Sequence, residues 1–200
     1  ILGSLHCSAN KNIADLVATS IVVEGTFECG TEDKPFLGKL NVKLKEGNGP
    51  SSMTKRGLVV MNGGQIQLHG NPKEDSFLKL ENDLLPGQSV VSATTKSDWE
   101  VGDEIIITAV HFNMLKTEKF KIIGKSNSQI TLDKPAKYFH SGKVQLLEGH
   151  EIDMRSVVAN LTRNILVTTD GTDHIASELG VHVMIMTGGK AFVDSVSIQF

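Results

Sequence analysis

Gly57-Leu58-Val59-Val60-Met61-Asn62-Gly63-Gly64-Gln65-Ile66-Gln67-Leu68-His69-Gly70 is the stretch on which the fold turns. Residues 57–61 are apolar on both faces, as suits an interior strand covered from both sides. Residues 65–69 alternate: Ile66 and Leu68 fall on one face, while Gln65, Gln67 and His69 fall on the other, which is wet. Between them, Asn62-Gly63-Gly64 tolerates positive φ. That turn has two readings: Asn62-Gly63 can close a hairpin, or it can form a tight corner between stacked coils.

Short runs rich in Val, Ile and Thr recur on either side, separated by Gly, Asn, Asp and Pro, and amphipathic helix is scarce. Strands are expected near 20–24, 39–44, 89–93, 104–109, 118–123, 129–132, 163–168, 181–186 and 191–199. Helix and strand are equally supported over 13–18. The class is all-β, and about 11 short strands fit either a sandwich or a solenoid. Lys45–Lys55, with Gly47, Gly49 and Pro50, reads as a surface loop.

The 200 residues carry 20 basic and 23 acidic side chains, a net charge of −3. No basic stripe stands out, which argues against nucleic acid as a partner. No apolar run approaches the roughly 20 residues of a spanning helix, so direct membrane insertion by this segment is not expected. Cys7 and Cys29 can pair in an oxidising compartment or remain two buried thiols.

Several strings resemble the domain named for its eight glycines. That family includes the cell-migration-inducing hyaluronan-binding protein, its transmembrane hyaluronidase relative and the fibrocystin-like proteins. The strings are 21–30 with Glu32 and Pro35-Phe36, Gly63 to Gly70, and above all Asp98-Trp99-Glu100-Val101-Gly102-Asp103-Glu104 with Thr117-Glu118 behind it. Tyr138 to Gly142, Asp153-Met154-Arg155, Leu161 to Ile165 and Gly180 to Met186 continue the likeness. The resemblance implies a right-handed parallel β-helix (solenoid) with glycine-rich corners, the β-sandwich being the alternative. It also implies an eight-glycine-type β domain over 1–150, the first coils of a continuing β-helix over 151–200, and an extracellular setting, either secreted or in an ectodomain.

Chemistry concentrates after residue 138. Glycoside hydrolysis uses two carboxyl groups about 5–10 Å apart, and Asp170 and Asp173 can supply such a pair, with His140 as the third catalytic candidate that the resemblance suggests. Arg163 and Arg155, with His174 and His182, are the substrate-binding candidates, because guanidinium groups hold carboxylates bidentately. Asp170-Gly171-Thr172-Asp173 is equally an ordinary turn. No metal-ligand spacing supports zinc. Calcium suits the oxygen-rich Asp turn, but the ligand count there is too small to argue for it. Trp99 is assigned to core packing, and the Asn160-Leu161-Thr162 sequon is expected to stay unmodified. The function expected is binding, and in a full-length parent hydrolysis, of an acidic polysaccharide such as hyaluronan. The alternative is a non-catalytic adhesion module for an extracellular protein.

Overall fold

The computed structural model describes residues 1–8, 13–47, 55–92, 98–110, 112–126, 129–171 and 180–199. Most of the expected 45–55 loop, from 48 to 54, lies outside the described residues, as do Asp173 and His174. The chain divides into two compact units, Ile1–Pro72 with Arg163–Phe200, and Lys73–Thr162.

The first unit opens with β1 (Ser4–His6), β2 (Ile13–Ala18), β3 (Ile21–Val23), β4 (Thr26–Cys29), β5 (Lys39–Leu44), β6 (Gly57–Val60) and β7 (Gln65–His69). The second holds β8 (Phe77–Lys79), β9 (Val90–Ser92), β10 (Glu104–Ile107), β11 (Glu118–Ser126), β12 (Gln129–Leu132), β13 (Gln145–Leu147), β14 (His150–Ile152) and β15 (Val157–Asn160). The chain then returns to the first unit with β16 (Ile165–Thr169), β17 (His182–Ile185), β18 (Lys190–Asp194) and β19 (Val196–Ile198).

In the first unit every pairing is parallel, in three sheets ordered β1-β4-β7-β18, β19-β16-β5-β2 and β17-β6-β3. Consecutive strands such as β6 and β7 therefore belong to different sheets. Asn62 (φ 53°) and Gly63 (φ 83°) swing the chain from one sheet to the next, so this Asn-Gly does not close a hairpin. At that corner Gly64 lies against the Val23 carbonyl where a Cβ would collide. The crossings are tied rung to rung, Gln65 N–H donating to Gly25 O (2.8 Å) and Lys190 N–H to Gly64 O (3.0 Å).

Alternation decides what each strand buries. Phe27, Leu40, Val42, Leu44, Ile66, Leu68, Ile165 and Val167 share one core, and each large side chain buried this way contributes about 2 kcal/mol. Cys7 and Cys29 form a disulfide joining residues 22 apart in sequence, which resolves the open question of their pairing. Asn164 stitches the unit further. Its amide donates to Phe36 O (2.6 Å) and Gly38 O (2.6 Å), and its Oδ1 accepts from Asn71 N–H (2.7 Å).

The second unit is built on a six-stranded sheet ordered β8-β15-β10-β11-β12-β9, antiparallel at each pairing, with β13-β14 as a separate hairpin. Its core gathers Leu80, Leu84, Trp99, Ile105, Ile107, Phe120, Ile122 and Val158. Trp99 is buried and its Nε1–H donates to Asp75 O (2.6 Å), a packing role and not a sugar platform. Asn160 is also buried, donating to Asp103 Oδ2 (2.8 Å) and accepting from Thr162 N–H (2.8 Å), so the sequon's acceptor amide is occupied inside the fold.

These sheets correct the expected fold. A right-handed parallel β-helix (solenoid) does not run through the chain, because sheets of both senses are present and residues 73–162 form an antiparallel sheet around a separate core. The β-sandwich alternative, which expects antiparallel strands, fits that half better. The physical cause is the connections: β11 and β12 lie antiparallel across a short link, which returns the chain beside itself instead of carrying it to another sheet.

Candidate functional site

The residues singled out from the sequence divide between the two units. His140 and Arg155 fall in Lys73–Thr162, whereas Arg163, Asp170 and His182 fall in the other unit. Asp173 and His174 lie outside the described residues.

His140 is fully buried. Its Nδ1 faces Thr108 O and its Nε2 faces Glu118 Oε2, both at 3.0 Å. Glu118 also accepts from the N–H groups of Lys137 (2.9 Å) and Tyr138 (2.9 Å). Burial pushes the Glu118 carboxyl up, but these backbone donors and His140 together outweigh it and hold the group below its ordinary value. Arg155 is engaged locally, its Nε and Nη2 donating to the two Asp153 oxygens at 2.9 and 3.0 Å. Those donations, with Lys79, keep the Asp153 carboxyl well below the usual carboxylate range.

In the first unit Arg163 precedes β16 and Asp170 follows it, so about 20 Å of extended strand separates them. Asp170 directly follows β16 and His182 opens β17. Asp170 N–H donates to Leu44 O (3.2 Å) and His182 N–H to Arg56 O (3.2 Å). Arg56, which no sequence pattern singled out, is buried in the left-handed region (φ 49°) and donates to Glu46 Oε2 (3.2 Å). A residue of this size with positive φ is uncommon.

The other feature that sequence reasoning passed over is the outward face of the sheet carrying β4, β7 and β18. There, a groove of about 350 Å³ is lined by Thr31, Glu32, Asp33, Gln65, Gln67, His69, Lys190 and Phe192. Parallel register sets Lys190 beside Gln65, Phe192 beside Gln67 and Asp194 beside His69. The signal was present: Lys190-Ala191-Phe192-Val193-Asp194 repeats the alternation of Gln65–His69, with an aromatic residue on the wet side. Among the described residues, no three His, Cys, Asp or Glu side chains converge to hold a metal, and no helix is long and apolar enough to cross a membrane.

Residues 1–81 match the model of the G8 domain. Mouse fibrocystin is 27% identical over 178 residues, covering 83% of this chain and 4% of that protein. Human fibrocystin-L is 28% identical over 170 residues, covering 80% of this chain and again 4% of the relative. The chain thus spans about a twenty-fifth of the length of either relative. Among solved structures, the tailspike gp61 of Pseudomonas phage phi297 aligns over 94% of this chain and 27% of its own, at 12% identity and a TM-score of 0.37, too slight a likeness to carry an argument. Over residues 1–81 the chain is thus similar to the G8 domain, and over most of its length it is homologous to fibrocystin and fibrocystin-L.

Proposed function

We propose that the chain is an extracellular module that binds a polysaccharide, with an acidic polymer such as hyaluronan as its ligand. The observation that carries this reading is the open groove on the β4-β7-β18 face, lined by amide, imidazole, hydroxyl, carboxylate and ammonium groups together with the half-exposed phenyl ring of Phe192. Sugars present hydroxyl groups around apolar ring faces, and such a surface answers both. The Cys7–Cys29 disulfide supports the compartment, since such bridges persist in oxidising surroundings. Cleavage in a full-length parent would draw on Asp170 with a second carboxylate, for which Asp173 is the candidate; the present reading assigns this segment binding.

Purified protein titrated with size-defined hyaluronan, with and without calcium, tests this directly. Saturable binding with unchanged polymer length is the expected result. No binding to hyaluronan or to any member of a glycan array would overturn the reading and leave protein adhesion in its place.

A further inference from the structure

The polar side chains of the first unit's sheets are not all in the same state. On the outward face of β2 and β5, Asp15 accepts from Asn41 Nδ2 and Lys43 Nζ, both at 2.7 Å, so that face is bonded within itself. On the β7-β18 face the situation differs. Among the described residues, the side chains of Gln65, Gln67, His69 and Lys190 have no hydrogen-bond or ion-pair partner, although the first three are half-buried. Phe192, in register with Gln67, is 50% exposed beside them.

Resting on the polysaccharide reading above, we propose that this face is the sugar-binding site and that it recognises an alternating pattern. An uncharged pyranose stacks on Phe192, its hydroxyl or acetamido groups meeting Gln65, Gln67 and His69. Lys190 takes the carboxylate of the neighbouring sugar. Geometry supports the division of labour. Side chains two apart on β18 stand about 7 Å from each other on one face, while neighbouring strands are about 4.8 Å apart. Phe192 and Lys190 therefore address successive parts of one ligand while Gln65 and Gln67 flank both.

Charge supports it too. Glu32 and Asp33 line the same groove as the single ammonium of Lys190. A uniformly anionic chain would meet repulsion there, whereas a chain with carboxylates only on alternate sugars places one at Lys190 and a neutral ring near the acids. Phe192 supplies an apolar plate with little side-chain entropy to lose.

The test is titration calorimetry with a hyaluronan octasaccharide against wild type, Phe192→Ala, Gln67→Ala and Lys190→Gln. Phe77→Ala, an exposed phenylalanine of the other unit, serves as control. Circular dichroism confirms that each variant is folded. Phe192→Ala and Gln67→Ala should each weaken binding about three- to tenfold, the worth of one stacking or hydrogen-bond contact. Lys190→Gln should weaken it at low salt and match wild type in 1 M salt, while Phe77→Ala stays within twofold. Binding that survives both Phe192→Ala and Gln67→Ala within twofold overturns this site while leaving the polysaccharide reading intact. Failure of wild type to bind the octasaccharide overturns both.

Discussion

His140→Ala is expected to destabilise the second unit by about 4 kcal/mol, in the range found when one partner of a buried hydrogen-bonded pair is removed. The side chain is wholly enclosed, and its loss strands the Thr108 carbonyl and one oxygen of Glu118, which is itself only 11% exposed. A cavity adds to the deficit. Trp99, the one tryptophan of the chain, lies in the core of this unit, so its fluorescence reports the transition in a denaturant titration. A shift below 1 kcal/mol would show that the pair is not structural.

The same pair predicts a pH dependence. In the folded state the Glu118 carboxyl sits below its ordinary value, so the protein gains from it only while it is ionised. That contribution is fully present above the unfolded value of about 4.3 and is lost as the pH falls from there through the folded pKa. Glu118→Gln should accordingly be less stable than wild type at neutral pH, with the gap closing on acidification below about pH 4.

Gly64→Ala should cost about 3 kcal/mol in the first unit. An added Cβ would press on the carbonyl carbon and oxygen of Val23 and on the Cα of Glu24, all of them backbone atoms held by neighbouring strands. Overpacking of this kind ordinarily costs about 1–3 kcal/mol when side chains can yield, and here none is in the way to yield. Gly63→Ala faces no such obstruction, since nothing lies near its Cβ position, and bears only the strain of its positive φ of 83°. Far-UV circular dichroism in denaturant separates the two, with Gly64→Ala the more damaging. Equal effects would mean that close approach of the crossings is not what selects glycine.

These particulars also show what a sequence can and cannot disclose. Alternation in Gln65–His69 marked a strand and its buried face correctly, because period two is a local property. The packing role of Trp99 was legible from its neighbours. Pairing sense was not. Asn62-Gly63 carries the same dihedral preference whether the next strand returns beside the first or enters another sheet, and only distant partners decide. The single strand expected over 191–199 breaks into β18 and β19 at Ser195, whose φ of 54° gives no warning in a residue without glycine's freedom.

For the candidate site, residue chemistry favoured histidines, arginines and aspartates wherever they clustered along the chain. The fold distributes them instead: His140 into a core, Arg155 onto Asp153, Arg163 and Asp170 to opposite ends of one strand. Gln65, Gln67, Lys190 and Phe192 are brought together across more than 120 residues of sequence, which no local window spans.

The most direct test of the account is backbone amide NMR of the chain during addition of a hyaluronan octasaccharide. Sugar docking on the β4-β7-β18 face should concentrate the shift changes at 31–33, 65–69 and 190–194. Changes centred instead on Arg163, Asp170 and His182, or none at all at saturating sugar, would contradict it.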